Sequence, residues 1–316
     1  MKRIQPTAFK GLIAMVALAA LSVAACGDSS KAPEFKDGDR LRVVATVAAV
    51  EAVAEAVGGD LIDLSVLAGA GVDVHDFELS PADRRRIDEA HVVAQVGLGL
   101  DVFVEKAAAK EQLVVLGEGL PVVRGAEEHD EGEDEHDDHG DQDPHVWHDV
   151  DNTKEMALRL ARAFGQIDTA NAATYLANAE ALGARLDAAD AEIKALIDQI
   201  PEENRKVVTN HDAIGYFLDR YGLVFVGAVI PAQTTAAEPS AKDLVELSDL
   251  IRAEGVKAIF AESSVDPKVA AQLAKDTGVT IVEGLYADSL GPPGSGADTI
   301  EGMLLANAKK IAEALR

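Results

Sequence analysis

The chain runs to 316 residues, with 55 acidic and 29 basic side chains, eight histidines, one cysteine and 48% hydrophobic content. That length accommodates about two domains with sizeable cores, and the hydrophobic share excludes a wholly disordered chain. A formal charge of −26 excludes a general binder of nucleic acid, which needs clustered Lys and Arg, and one cysteine excludes a disulfide framework or a Cys-rich metal site.

Residues 1–25 read as a signal peptide. Lys2, Arg3 and Lys10 make a basic start without acids, and residues 11–25 are almost purely apolar and small. That run is short of the roughly 20 residues a membrane-spanning helix needs, but it suits a signal core. Small residues lead directly into Cys26, a pattern that resembles the bacterial lipobox, in which the cysteine is acylated and becomes the mature N-terminus. The alternative is an ordinary secretory signal cut after Ala25. Removing the three cations takes the formal charge from −26 to −29. Residues 26–40 read as a polar tether, and the mature chain is expected outside the cytoplasmic membrane, held to it by lipid.

From residue 41 onward, short β-branched runs alternate with amphipathic stretches, the pattern of a parallel α/β sheet. A first lobe over 41–168 has expected strands at 42–47, 64–67, 92–96 and 113–116, with helices near 49–57, 82–90 and 102–110. Ser80, Pro81 and Asp83 give the second helix a strong start. Residues 152–165 and 170–199 read as helices, and the region 169–201 is expected to be a long connector ended by Pro201. One face of it carries Tyr175, Ala179, Leu182, Leu186, Ile193, Leu196 and Ile200. A second lobe over 202–316 repeats the scheme, with strands at 206–209, 224–230, 258–261 and 280–282 and helices near 213–221, 241–253, 267–277 and 299–315. Gly222, Gly255 and Gly278 stand where helix C-caps are expected. The predicted class is α/β: two similar parallel-sheet lobes joined by a long rigid helix.

Three histidines follow expected strands or sit in loops with acids or turn residues beside them. His75 lies in Val72-Asp73-Val74-His75-Asp76, His145 in Asp143-Pro144-His145-Val146-Trp147-His148-Asp149, and His211 in Thr209-Asn210-His211-Asp212. Asp288 follows the last expected strand. Ligands of parallel sheets bind outside the carboxyl ends of strands, so these positions can converge on one cleft. Neutral imidazoles with one carboxylate suit a four-coordinate borderline metal, with zinc the natural choice. His91, at a helix-to-strand junction, reads as structural. His148 reads as a supporting or surface residue, with an alternative ligand role left open. Glu262 either supports a ligand by hydrogen bonding or caps the next turn.

The segments GVDVHDFELSPAD, DPHVWHD, VVTNHDAIGYFLDRYGL and GLYADSLG resemble the zinc- and manganese-type solute-binding lipoproteins of bacterial ABC transporters. The resemblance runs from about Arg42 to the C-terminus. It implies two lobes joined by a rigid helix with a metal site in the cleft between them, the ligand set His75, His145, His211 and Asp288, and an ABC permease as partner. Manganese-type members tend to carry Glu at the third position. His211 stands there in this chain, which favours zinc over manganese or iron.

Residues 127–143 hold eleven acids, three histidines and no base. Such a run cannot build a core. It is either a solvated linker or a metal-collecting loop using His129, His136 and His139, and zinc-type members of the family resemble this chain in carrying a His- and acid-rich insertion at this point. The expected role is therefore capture of extracytoplasmic Zn2+ and delivery to the permease, with Mn2+ as the alternative cargo. A secreted zinc hydrolase is the rival from another class, disfavoured because no HExxH motif or Ser/His/Asp arrangement is present.

Overall fold

A computed structural model describes residues 32–121 and 142–316. The expected signal peptide, Cys26, His129, His136 and His139 lie outside the described residues.

The first lobe is built on β1 (Leu41–Val47), α1 (Ala48–Gly58), β2 (Ile62–Ala68), α2 (Pro81–Glu89), β3 (Val92–Gln95) and β4 (Leu113–Val115). Its strands are all parallel, in the order β2-β1-β3-β4. The central pair is covered on both faces, so β1 and β3 read as nearly continuous apolar runs rather than alternating ones. α2 starts as its sequence predicts. Ser80 accepts from the Asp83 N–H while the Asp83 carboxylate accepts from the Ser80 N–H, a reciprocal cap with Pro81 just inside.

The second lobe repeats the order. β5 (Lys206–Thr209), α5 (Gly215–Tyr221), β6 (Val224–Ala228), α6 (Ala241–Glu254), β7 (Ala258–Glu262), α7 (Lys268–Thr277), β8 (Thr280–Leu285) and α8 (Ile300–Leu315) form a parallel sheet ordered β6-β5-β7-β8. Gly222, Gly255 and Gly278 end α5, α6 and α7 in the left-handed conformation, at φ of 68°, 65° and 78°.

Between the lobes run α3 (Val150–Ile167) and α4 (Ala172–Ile197). The 26 residues of α4 span about 39 Å at 1.5 Å per residue. Tyr175, Ala179, Leu182, Leu186, Ala189, Ile193 and Ile197 form its buried row. That row departs slightly from expectation, because Ile197 rather than Leu196 completes it. α4 packs against α1 and α3 on the first-lobe side and α8 on the second. One core therefore runs through both lobes, from Val43 and Leu160 through Leu182 and Ile193 to Phe260 and Ile311. Smaller cores lie behind each sheet, around Ile87 in the first lobe and Ile251 in the second.

One expected helix is absent. Residues 102–110 contain only a single 3-10 turn, Val102–Val104. The residue that should cap a helix there, Asp101, turns back instead. Its carboxylate accepts from the Thr46 hydroxyl and from the N–H groups of Val96 and Gly97, and no side-chain cap is left for the turn that follows.

Candidate metal centre

Each residue proposed as a ligand stands just past a strand or at a helix entry, and its backbone is fixed locally. Past β2, the turn at Gly71, with φ of +80°, leads to Asp73, whose Oδ1 accepts from the His75 N–H at 3.0 Å. The same spacing recurs at the second position, where Asp143 Oδ1 accepts from the His145 N–H at 2.9 Å. His145 opens the short turn Val146–His148, and Asp149 then caps α3 through the N–H groups of Asp151 and Asn152. His211 follows β5, with its carbonyl held by the Thr209 hydroxyl. Asp288 follows β8, where Asn307 of α8 fixes the backbone by bonding both the N–H and the carbonyl of Tyr286.

These four residues converge. One ligand atom from each lies within 4.8 Å of all the others. Asp288 Oδ2 is 3.5 Å from His75 Nε2 and 3.4 Å from His211 Nε2, and Asp288 Oδ1 is 3.2 Å from His145 Nε2. The three imidazole rings form a near-equilateral triangle with centroids 5.4 to 5.7 Å apart. All three Nε2 atoms and both Asp288 oxygens are buried without a hydrogen-bond partner. Unpartnered polar atoms at this depth are costly, and facing one another at these distances they suit a cation between them. Zinc bonds of about 2.0–2.1 Å in a tetrahedron put neighbouring ligand atoms roughly 3.3–3.4 Å apart.

The electrostatics support cation binding. Burial works against the charged form of His145, yet the carboxylates of Asp143 and Asp288 outweigh it and raise the pKa to about 10. His211 is also raised, with Glu262 and Asp288 overcoming its burial. Asp288 is held well below the usual carboxylate range, the His211 and His145 charges prevailing over desolvation. In the metal-free protein, protons on His145 and His211 balance the carboxylates, and a divalent ion would take their place.

Two rings are braced from behind. His145 Nδ1 donates to Asp143 Oδ1 at 2.6 Å and His211 Nδ1 to Glu262 Oε1 at 2.8 Å. Such carboxylate contacts fix the tautomer that turns Nε2 toward a metal. Glu262 thus supports His211, and Asn210 Oδ1 holds the Glu262 N–H in turn. Asp143, placed at the end of the acidic run by sequence, is instead a buried partner of His145. The Asp-x-His spacing, present at both His75 and His145, is the signal that could have separated Asp143 from that run.

His148 is not at the surface. Its ring is fully buried, Nε2 donates to the Ala287 carbonyl at 3.0 Å, and Nδ1 has no partner. Burial first and the neighbouring His145 second lower its pKa to about 4. It stands beside the cluster rather than in it. His91 lies elsewhere, buried, with Nδ1 accepting from the Arg42 N–H.

Residues 43–314 match the family described as Zinc-uptake complex component A, periplasmic. The manganese-binding lipoprotein MntA of Bacillus subtilis (strain 168) is 31% identical over 321 residues, covering 97% of this chain and 99% of that protein. The metal ABC transporter substrate-binding lipoprotein SsaB of Streptococcus sanguinis is 30% identical over 315 residues, covering 96% and 98%. Among solved structures, the periplasmic zinc-binding protein TroA of Treponema pallidum superposes with a TM-score of 0.78 at 26% identity, covering 87% of this chain and 99% of that one.

Proposed function

Because the chain belongs to the zinc-uptake component A family of metal ABC transporter substrate-binding proteins, we propose that it captures Zn2+ with His75, His145, His211 and Asp288 and passes it to an ABC permease. Membership makes it an extracytoplasmic, membrane-anchored metal-binding protein of a transporter, not an enzyme. The further reading is that residues 1–25 are removed and lipid on Cys26 supplies the anchor.

The observation that carries the ligand set is the group of buried, unpartnered Nε2 and carboxylate atoms 3.2 to 3.5 Å apart. The choice of zinc rests on donor chemistry, since three imidazoles and one carboxylate favour zinc over manganese, which prefers oxygen. Manganese is the second reading, favoured by the manganese-binding name of the Bacillus subtilis relative. Thermal-shift titration separates the two. The zinc reading expects a larger stabilisation by Zn2+ than by Mn2+, and the reverse order would overturn it. Calorimetry should show one tight zinc site that is lost in His211→Ala. Affinity retained in that variant would remove His211 from the set.

The acidic run, with His129, His136 and His139, is proposed to collect cations for the cleft site, by a concentrated negative field and imidazoles. Its test is the zinc content of protein purified at scarce metal, with and without residues 127–141. The deletion spares Gln142 and Asp143, because Asp143 braces His145. Lower content in the deletion supports collection, and equal content contradicts it.

A further inference from the structure

The two Asp-x-His turns differ in what they do with the carboxylate. Asp143 Oδ1 bonds both the backbone N–H and the ring of His145, which fastens that ligand within its own segment. Asp73 holds His75 through the backbone N–H, and its second oxygen crosses the cleft, where Oδ2 accepts from the Thr235 hydroxyl at 2.6 Å. The same first-lobe loop is held once more from the opposite side, where the Gly71 N–H donates to Ser289 Oγ at 2.7 Å. His75 is thus tied to the other lobe through the side chain of Asp73, whereas the His145 segment is tied through the Asp143 carbonyl, which accepts from the Tyr216 hydroxyl.

The segment leading to Thr235 borders open space. A cavity of about 560 Å3 borders His75, Phe77, Phe103 and Pro144 on one side and Ala232 and Gln233 on the other. A second, of about 290 Å3, lies on the β6 side of the same two residues, against Phe225 and Asp212. Ala232 and Gln233 therefore line both spaces. The Asp212 N–H donates to the Ala232 carbonyl, and Gln233 Nε2 is buried with no partner. A segment bordered by open space can shift at small cost in packing. His75 also has the most exposed side chain of the four, 7% against 1% or less for His145, His211 and Asp288.

We propose that Thr235 and Asp73 form a latch that holds the 231–235 segment of the second lobe across His75, and that opening of this latch sets the rate at which the metal leaves through the larger cavity. The proposal rests on the reading of the four-residue cluster as the metal site. Thr235 is a positioning residue, acting on His75 through Asp73. The hydroxyl-to-carboxylate bond is the kind whose loss changes a rate or equilibrium by roughly ten-fold or more, and because the metal enters and leaves through one opening, its loss should speed release without slowing capture.

The test uses the full chain loaded with one equivalent of Zn2+. Stopped-flow mixing with excess chelator gives the release rate, and mixing with free Zn2+ gives the association rate. Thr235→Val removes the hydroxyl at nearly constant shape, Thr235→Ala repeats the removal with a smaller side chain, and Thr235→Ser restores it. The latch predicts release about ten-fold faster or more in the Val and Ala variants, association no slower than wild type, and Ser close to wild type. Unchanged release in Thr235→Val overturns the latch, as does a Ser variant that releases as fast as Val. A matching fall in association also overturns it, since that would mean a damaged site. If the wild type takes up no zinc, the metal-site reading falls and the latch with it. If the wild type takes up one ion and releases it no more slowly than Thr235→Val, the latch alone falls.

Discussion

Glu262 and Asp143 each grip one imidazole from the side away from the cluster. Glu262→Gln and Asp143→Asn keep the shape but weaken the acceptor, and each should lower zinc affinity by about 10–100-fold without abolishing binding. Competition against a chelator of known affinity measures it, and unchanged affinity in both would deny them that role. Proton balance gives a second prediction. With a pKa near 10 in the metal-free protein, His145 carries a proton at pH 7 that an entering cation must displace. Binding should release at least one proton per ion, and affinity should rise as pH is raised towards 10. Calorimetry in buffers of different ionisation enthalpy counts these protons, and a count of zero would contradict the arrangement.

His148 makes an opposite contribution to stability. Its folded pKa is depressed to about 4, so a neutral buried ring contributes stability above the ordinary value of about 6.5, and that contribution is lost as pH falls through 4. For His145 the raised value means a contribution fully present below about 6.5 and lost as pH rises through 10. Between pH 6.5 and 4 the metal-free protein should therefore lose on the order of 3 kcal/mol through His148, with buried His91, also lowered, adding to the slope. Denaturant titrations should show a shallower acid loss in His148→Gln, which retains a donor for the Ala287 carbonyl. An identical slope would exclude His148 as the cause. Of these residues, His211 and Asp288 were legible from their places after strands and His145 from its loop beside an acid, whereas the full burial of His148 was not. Thr235 was not, because a hydroxyl 162 positions from its partner leaves no local pattern.

At the scale of elements, the signals that read correctly were those whose physics is local. Ser80 with Asp83 caps α2, and Gly222, Gly255 and Gly278 end helices, because each meets its hydrogen-bonding or backbone need within a few residues. Residues 102–110 failed as a helix because Asp101 is claimed by Thr46, 55 positions away, and by the end of β3. Tertiary demand overrode a local preference. The buried row of α4 was legible from its spacing, but that it serves both lobes was not, since periodicity shows which face is apolar and not what covers it. Leu186 sits in that row with no exposure. Leu186→Ala should cost about 2–5 kcal/mol, measured by denaturant unfolding, while leaving metal affinity of the folded protein unchanged. A cost below about 1 kcal/mol would show that the row is not tightly packed.

The whole molecule joins two lobes of matching strand order through one continuous core that α4 threads. Lobes that share a core should unfold together, so calorimetric melting of the metal-free protein should give one transition. Two separated transitions would mean that α4 links the lobes without uniting them. A shared core also favours small rearrangements at the cleft over wide hinge closure. The acid excess is distributed in keeping with this economy: eleven acids fall in residues 127–143, next to His145 in sequence. The central claim is that one cation sits among His75, His145, His211 and Asp288. Crystals of the protein loaded with one equivalent of zinc, measured at the zinc absorption edge, test it directly. The account predicts a single anomalous peak within about 2.0–2.2 Å of the three Nε2 atoms and an Asp288 oxygen, and a peak outside that cluster, or one lacking any of the four, would contradict it.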